Sequence, residues 1–475
     1  NSKKIKGGRK IGLSDREIEK RVREFAPEVV GITSMFTAFD RDVHSLAALV
    51  KKINPEIKVI VGGAHASSFP ELVIKDKNID IVVIGEGEIT FGEIVRALKN
   101  KKDYCRLKGT VARNKNKIFV NPGREYLADL DRLPFPAYRL LPMKAYFEVA
   151  KKSPYLMRQP TTGIISSRGC PGNCCYCSIH SVWGHTWRGR SPENVVSEIE
   201  FLIKNYKVKE FSFLDDSLAC SPERLEKLCE EIIKRGLDIK WSTPNGIAHW
   251  NLNKRLLDKM KAAGCYRITF GIESASPQTR KFIGWKANFP LRQAKELIEY
   301  ANKIGLWTIA TFILGFPYER KTDIEKTVDF ALSCDVDFAV FFLLMPFPGT
   351  RVYEAFKKEG LLNFDSLLDP TIKASAQNLA GLGGGLAQRG CQTLYFKPEE
   401  LRGFLDDAYN RFFKRRFLSF LNPFRSSRKI NSWEDFRYVL RLIKTAGVMK
   451  LAQIKNKEFS AHLISQTNKE KNENY

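Results

Sequence analysis

The sequence lacks any hydrophobic run long enough to cross a lipid bilayer. Its first residues, Asn1 to Lys4, do not have the pattern of a secretory signal peptide. Cysteine is sparse, with 10 in 475 residues, and outside one short stretch the cysteines have no framework spacing. Scattered thiols of this kind are typical of proteins that stay reduced. We therefore expect a cytoplasmic protein.

Acidic residues are few compared with basic ones. The chain has 53 Asp and Glu against 78 Lys and Arg, which gives a net charge of +25. A nucleic acid, an anionic membrane surface or an acidic substrate would each be attracted by this charge. Solvated basic helix faces would account for it without any partner. The length of 475 residues predicts two or three domains.

Three of the cysteines lie together on one predicted loop. Cys170, Cys174 and Cys177 have the spacing C-x3-C-x2-C and follow a strand-like run over 163–169. Three thiolates on one loop can hold three irons of a cubane cluster and leave the fourth iron open for a ligand. A structural zinc site would need four ligands in two pairs, and the sequence has no second C-x2-C pair. Cys175, the fourth thiol of the loop, is interpreted as a packing residue.

Residues 12–100 alternate between helical patterns and short apolar strands at 29–35, 58–61 and 81–84. This alternation predicts a parallel sheet covered on both faces, with ligands at the carboxyl ends of its strands. The residues at those ends are Thr33, Ser34, Gly62, Gly63, His65, Gly85, Glu86 and Gly87. Small residues there let a bulky flat cofactor approach the backbone. Glycines after strands are also common turn residues, so the pattern has a second explanation.

The alternation returns after residue 163 with six strand-like runs, which predicts a partial barrel. The runs are 163–168, 210–214, 240–242, 267–272, 308–314 and 338–344, with helical patterns near 192–206, 222–235, 253–263, 290–304 and 322–333. In barrels of this kind the chemistry gathers at the carboxyl ends of the strands. The candidate residues at those ends are Asp215, Asp216, Asn245, Glu273, Ser274, Leu314 and Gly315.

These motifs together resemble the radical S-adenosylmethionine (SAM) superfamily. The cysteine loop with Tyr176 before its last cysteine carries the resemblance, and the run 187–196 resembles the subclass with a cobalamin-binding domain. The resemblance spans roughly residues 12–420. It implies an α/β fold in which an incomplete doubly wound parallel sheet of the cobalamin-binding type precedes a partial (β/α)6 barrel and a helical C-terminal tail.

The implied domains follow this order. They are a cobalamin-binding-like domain at 1–102, a hairpin and linker at 103–155, the radical SAM partial barrel at 156–362, a flexible connection at 363–396 and a basic helical region at 397–475. Family members usually carry two further strands before the first domain's sequence here, so we expect an N-terminally truncated sheet. No Asp-x-His-x-x-Gly segment supplies a histidine ligand to cobalt.

The resemblance also implies the cofactors. Cys170, Cys174 and Cys177 would hold a 4Fe-4S cluster. Tyr176 and the seven candidates at the barrel strand ends would contact SAM, and the eight residues at the strand ends of the first sheet would contact cobalamin. Reductive cleavage of SAM at the cluster would yield a 5′-deoxyadenosyl radical, and methyl transfer from cobalamin would make the enzyme a C-methyltransferase acting on an unactivated carbon.

Two other outcomes fit the same motifs. One is a radical cyclase or rearrangement enzyme acting on a tetrapyrrole- or lipid-like substrate, and the other is a non-catalytic cobalamin or redox-sensing module. The expected partners are a small-molecule or lipid-like substrate and an electron donor such as ferredoxin or flavodoxin. RNA modification would need a second cysteine trio upstream, and residues 1–160 hold only Cys105, so a nucleic-acid partner is not expected.

The C-terminal region is strongly basic. From Lys397 to Tyr475 it holds 17 Lys and Arg against 9 Asp and Glu. Such an amphipathic basic segment can dock on anionic lipid, as a peripheral membrane contact, or cover the mouth of the barrel. We expect it to cover the mouth, because its apolar face must be buried.

Overall fold

The computed structural model describes residues 2–5, 8–284, 289–362, 391–420, 428–430 and 432–444. The segment 363–390, most of the predicted flexible connection, lies outside the described residues, as does 445–475. Within the described part, no helix is both long enough and apolar enough to cross a membrane.

The first domain contains one mixed sheet of five strands. A short hairpin of β1 (Ser2–Ile5) and β2 (Gly8–Ile11) precedes it. The sheet and its helices run in the order α1 (Asp15–Phe25), β3 (Val29–Thr33), α2 (Asp40–Ile53), β4 (Lys58–Gly62), α3 (Ala64–Ser68), α4 (Pro70–Val73), β5 (Ile81–Val83), α5 (Gly87–Lys99), β6 (Thr110–Asn114) and β7 (Lys117–Val120). The three strands β3, β4 and β5 are parallel, and their apolar side chains are buried between helices, as predicted.

Two details of this domain extend the sequence analysis. The predicted capping box of α1 is present, with Ser14 and Glu17 bonding to each other's backbone. The hairpin of β6 and β7, which the sequence places in the connection between domains, continues the first sheet because β6 pairs antiparallel with β5. The strand order β3-β4-β5-β6-β7 leaves β3 at one edge.

A connection leads to the second domain. It contains α6 (Met143–Ala150), followed by β8 (Thr161–Ile164), β9 (Ser167–Arg168), α7 (His180–Trp183), β10 (Arg188–Gly189) and α8 (Pro192–Tyr206). The barrel continues with β11 (Glu210–Phe213), α9 (Pro222–Lys234), β12 (Lys240–Ile247), α10 (Lys254–Ala262), β13 (Cys265–Glu273), α11 (Pro277–Ile283), α12 (Leu291–Lys303), β14 (Trp307–Leu314), α13 (Lys321–Ser333), β15 (Phe338–Leu343) and α14 (Arg351–Lys358).

The second sheet confirms the predicted partial barrel. Six parallel strands lie in the order β15-β14-β13-β12-β11-β8, so the chain adds each strand beside the previous one. All nine residues of the central strand β13 are buried, because helices cover its outer side and the curved sheet covers its inner side. The outer side chains pack with α8 to α13 into the largest apolar core of the protein.

The C-terminal region packs on the barrel in two places. Helix α15 (Pro398–Phe420) lies along the edge strand β15, where the Tyr409 hydroxyl lies 3.0 Å from both the amide nitrogen and the carbonyl oxygen of Phe341. Residues 433–444 form a further helix, α16, under the N-terminal ends of the strands, and its Tyr438 packs on Tyr266 and Trp307. The expectation that this region covers the barrel mouth is wrong for its described residues. The strand edge and the strand starts supply the apolar surface that these helices bury.

Candidate active site

The cysteine loop lies between β9 and α7, at the barrel mouth. Cys170, Cys174 and Cys177 are each partly exposed, and the amide of Cys177 donates to the carbonyl of Cys174 over 3.1 Å. Cys175 is 1% exposed and packs with an apolar group that includes Val352. Burial raises the pKa of its thiol to about 12. The loop therefore buries the one thiol that the sequence analysis assigned to packing and leaves the other three accessible.

The loop is fixed from behind by elements that lie far away in the sequence. The backbone of Cys175 bonds to the carbonyl of Ile283 over 3.0 Å and to the amide of Val352 over 2.9 Å. The Arg351 guanidinium donates to the carbonyls of Asn173 (2.8 Å) and Ile283 (3.2 Å). Sequence reasoning missed Arg351, because no local pattern connects it to a loop 178 residues upstream.

The donor set of the loop suits an iron–sulfur cluster. Within the described ranges, no group of three or more His, Cys, Asp or Glu side chains lies close enough to hold a single metal ion. A cubane cluster does not need such convergence, because each thiolate binds its own iron atom. Three partly exposed thiols on one short loop are the donors that the cluster requires.

Glu273 joins the cysteine loop to the interior of the barrel. It ends β13 at an irregularity in the pairing with β14, and its φ of 68° is left-handed, which is uncommon for a residue other than glycine. Its carboxylate accepts a hydrogen bond from the Tyr176 hydroxyl and lies 3.5 Å from the Thr311 hydroxyl. Burial and the nearby Glu273 carboxylate raise the pKa of Tyr176 well above its ordinary value. Backbone strain of this kind is characteristic of functional positions.

Two other residues predicted to contact SAM have hydrogen-bond partners within the protein. Asp215 is 1% exposed, and its carboxylate accepts hydrogen bonds from the hydroxyls of Ser166 (2.8 Å) and Ser167 (2.5 Å). Ser274 is fully buried, and its hydroxyl lies 3.0 Å from that of Thr327. Both side chains fix loops at the barrel mouth, because their hydrogen bonds join segments from different strands.

The other residues predicted to contact SAM at the strand ends differ in their exposure. Asp216 is partly exposed, and burial together with the adjacent Asp215 carboxylate raises its pKa to about 6. Asn245 is exposed, and its side-chain amide donates to the carbonyl of Leu214 over 2.9 Å. Leu314 is buried in the apolar core.

Gly315 follows β14 directly, and a Cβ atom there would lie 3.2 Å from the Leu401 side chain of α15. Its φ is 90°, and its amide donates to the carboxylate of Glu319 over 2.7 Å. Phe316 donates to the same carboxylate over 3.2 Å, and burial raises the pKa of Glu319 to about 7. Glu319 therefore fixes the turn after β14.

The strand ends of the first sheet form a compact glycine-lined cradle. Gly63 has a φ of 103°, and a Cβ atom there would lie 2.7 Å from the carbonyl oxygen of Ser34. The Ser34 amide donates to the Gly62 carbonyl over 2.7 Å. The Ser34 hydroxyl is buried and has no hydrogen-bond partner among the described residues. A buried polar atom of this kind beside glycine backbone fits a cofactor that supplies the missing partner, whereas Thr33 is exposed at the end of β3.

His65 belongs to a buried polar chain rather than to the open cradle. It is 3% exposed, its Nδ1 lies 3.0 Å from the Thr37 hydroxyl, and its Nε2 lies 2.9 Å from a carboxylate oxygen of Asp40. Asp40 also contacts His44 at 3.3 Å, and the other ring nitrogen of His44 lies 2.7 Å from Asp76. His65 thereby anchors the turn that follows β4.

The loop after β5 connects the two domains. Gly85 and Gly87 flank Glu86, a residue that is 9% exposed. Its carboxylate accepts hydrogen bonds from Arg168 (3.0 Å) and Arg188 (2.7 Å). Sequence reasoning assigned Glu86 to cobalamin. In the structure its carboxylate is shared by two arginines of the second domain, a pairing that no sequence pattern indicates.

The two arginines also stack on aromatic rings. Arg168 lies 4.8 Å above the ring of Trp183, and Arg188 lies 4.8 Å above the ring of Tyr126. The hydroxyls of Ser68 and Ser181 meet at 3.0 Å nearby. The strand-end face of the first sheet therefore contacts the segment that carries the cysteine loop.

Comparisons with known proteins agree with this arrangement. The Radical SAM superfamily profile matches residues 164–331, and the B12 binding domain profile matches residues 10–95. The chain is 36% identical over 376 residues to an uncharacterized methyltransferase of Pyrococcus horikoshii, covering 78% of this chain and 79% of that protein. It is 31% identical over 405 residues to the cytidylyl-2-hydroxyethylphosphonate methyltransferase of Streptomyces wedmorensis, covering 79% and 75%.

A solved structure shares the fold. The radical SAM methyltransferase TsrM of Kitasatospora setae, solved with its tryptophan substrate and a SAM analogue, superposes with a TM-score of 0.66 at 17% identity, covering 92% of this chain and 91% of that one. The chain therefore belongs to the radical S-adenosylmethionine superfamily, among the members that carry a B12-binding domain.

Proposed function

We propose that this radical SAM enzyme is a cobalamin-dependent C-methyltransferase acting on an unactivated carbon of a small organic molecule. The observation that carries the proposal is the contact between the two candidate cofactor sites. The loop after β5 places Glu86 on Arg168, two residues before Cys170. A methyl donor in the cradle and a radical source at the cysteine loop would then share one substrate space. Similarity to two proteins named methyltransferases, at 36% and 31% identity, supports methyl transfer.

Members of this superfamily use a 4Fe-4S cluster and SAM, and the B12-binding domain takes cobalamin. When bound, these groups supply the adenosyl radical and the methyl group. Cys170, Cys174 and Cys177 would hold the cluster, and Arg351 would keep their loop in place. Ser34 and the backbone at Gly63 would hold cobalamin.

The barrel residues would position SAM. Glu273 and Tyr176 share a hydrogen bond where the cysteine loop meets β13, so they would orient the polar groups of SAM beside the cluster. The backbone at Gly315, fixed by Glu319, would form a wall against its flat base. Asp216, whose pKa is raised to about 6, could accept or hold a proton at its carboxylate near neutral pH.

The proposed function also includes a cellular compartment, an electron donor and a membrane contact. We place the enzyme in the cytoplasm, where a low-potential electron donor such as ferredoxin or flavodoxin would reduce it. Peripheral contact of the basic C-terminal region with a membrane belongs to the same proposal.

Anaerobic reconstitution with iron, sulfide and cobalamin tests the proposal. The reconstituted chain receives dithionite and SAM, and the products are identified by mass spectrometry. 5′-Deoxyadenosine together with S-adenosylhomocysteine is the expected result, because one SAM is cleaved and another donates its methyl group. 5′-Deoxyadenosine alone would overturn methyl transfer and favour a cyclase or rearrangement. Absence of both products from a cluster-loaded, cobalamin-loaded protein would favour a sensing module.

A further inference from the structure

Helix α16 (433–444) has two apolar faces. The inner face packs under the barrel, where Tyr438 is fully buried and Leu442 is 9% exposed. The Tyr438 hydroxyl lies within hydrogen-bond distance of Arg267 (3.2 Å) and of the carbonyl of Tyr155 (3.3 Å). These contacts hold the helix firmly, so its outer face keeps a fixed orientation.

The outer face is apolar where a surface helix is normally polar. Trp433 is 66% exposed, Phe436 37%, Leu440 50% and Ile443 62%. Their spacing of three, seven and ten residues from Trp433 places them on one side of the helix. The rings of Trp433 and Phe436 stack at 5.1 Å, so they present one continuous surface. Exposed apolar patches of this kind mark interaction sites.

Exposed basic side chains flank the apolar stripe. Arg437 lies 5.7 Å from the Trp433 ring, and Arg437 and Lys444 are exposed. The two acidic residues of the helix have partners within the protein: Glu434 pairs with Arg158 at 2.8 Å, and Asp435 accepts a hydrogen bond from the Ser432 hydroxyl.

An open cavity lies beside the apolar stripe. It has a volume of about 750 Å³ and is lined by Met157, Gln159, Lys209, Trp433, Leu440 and Arg441, among others. Its lining combines apolar side chains with four basic residues and one acidic residue, Glu434.

We propose that the outer face of α16 docks on an anionic lipid surface, with apolar side chains at the acyl boundary and Arg437 and Lys444 at the headgroups. Trp, Phe and Leu on one face with adjacent Lys and Arg are the composition that lies in a membrane interface. The net charge of +25 adds long-range attraction to anionic lipid.

Charge also decides against two other occupants. A second copy would bring Arg437 and Lys444 against the same cations. The chain's own segment 445–475 contains five Lys and three Glu, so it offers no complementary charge. The inference extends the membrane contact of the proposed function and does not rest on methyl transfer. The barrel mouth lies at the opposite ends of the strands, so docking leaves the active site open.

Vesicle binding by the reconstituted full chain tests this surface. Co-sedimentation with vesicles of phosphatidylcholine mixed with phosphatidylglycerol is compared with pure phosphatidylcholine vesicles. The anionic vesicles are expected to retain the protein, and added salt should release it. The double variant Trp433→Gln/Leu440→Gln should lower vesicle affinity at least about tenfold, because two apolar side chains leave the interface. Arg437→Glu should also lower it.

A matched control is Phe25→Gln, which removes an aromatic side chain that is 82% exposed on the first domain and should leave vesicle binding unchanged. Equal binding to both vesicle types, no binding, or an equal loss in the control would overturn the proposal. Self-association that the Trp433→Gln/Leu440→Gln variant abolishes, seen by analytical ultracentrifugation without lipid, would overturn it in favour of a second copy. None of these results alters SAM cleavage, so this inference and the proposed function fail separately.

Discussion

The carboxylate of Glu86, at the end of the third parallel strand, accepts a hydrogen bond from Arg168, two residues before Cys170, the first of the candidate cluster ligands. The same carboxylate holds Arg188. This carboxylate connects the B12-binding domain to the segment that carries the cysteine loop, and its ion pairs lie where the sequence predicted a cofactor contact.

Glu86→Gln should lower the stability of the reconstituted protein by about 3 kcal/mol, because it leaves the buried Arg188 without its carboxylate partner and Arg168 with only that of Glu88. A fall in the thermal unfolding midpoint is the measurement. Glu88→Gln is the matched control: Glu88 pairs with Arg168 but its side chain is 42% exposed, so its loss should cost less than about 1 kcal/mol. Equal shifts for the two variants would contradict the interdomain role of Glu86.

Alanine at Cys170, Cys174 or Cys177 should abolish both bound iron and SAM cleavage, because each removes one of three thiolate ligands. Cys175→Ala should retain iron and activity, at a cost of about 1–2 kcal/mol in stability for the lost packing. Iron content after anaerobic reconstitution distinguishes the two cases. Loss of iron in the Cys175 variant would mean that this buried thiol is a ligand.

Glu273→Gln should weaken SAM binding by about tenfold, because a carboxyl group at the barrel mouth is replaced by an amide, which has one acceptor oxygen fewer. The neighbouring variant Ser274→Ala should leave SAM affinity unchanged and lower the unfolding midpoint, since Ser274 bonds only within the protein in the described structure. Equilibrium dialysis of SAM against the cluster-loaded variants measures both. The reverse order of effects would show that Ser274, not Glu273, contacts SAM.

The ion pairs of His44 should make the first domain less stable at high pH. Hydrogen bonds to Asp40 and Asp76 raise the pKa of His44 from 6.5 to about 9. A raised histidine pKa contributes stability that is complete below pH 6.5 and is lost as the pH rises through about 9. The unfolding free energy should therefore fall by about 2–3 kcal/mol across this range in the native chain, but not in His44→Gln. If the unfolding free energies of the native chain and of His44→Gln changed with pH in the same way, the ion pairs of His44 would not be the cause.

The fold was largely predictable because it depends on local patterns. All six strands and five intervening helices of the barrel lie within a few residues of their predicted positions, since a continuously apolar run of strand length marks a buried parallel strand. The cysteine loop was recognisable for a similar reason: its three candidate cluster ligands lie within eight residues, so their spacing is visible in the sequence.

Other site features depend on partners far away in the chain. Asp215 and Ser274 end their strands where SAM contacts were predicted, yet their hydroxyl partners, Ser166, Ser167 and Thr327, are about 50 residues distant. Arg351 reaches the cysteine loop across 178 residues. A side chain's position at a strand end is a local property, whereas its hydrogen-bond partner is set by how the strands pack.

The sequence by itself determined the two α/β units, the order of their strands along the chain and the C-x3-C-x2-C loop, because periodicity and spacing act over short distances. Only the tertiary structure decided that Glu86 pairs with Arg168 and Arg188, that Tyr409 closes the edge of β15, and that α16 lies under the barrel with Trp433 and Leu440 facing outward. Those outcomes depend on which surfaces meet in three dimensions, since burial and charge pairing are properties of the packed chain.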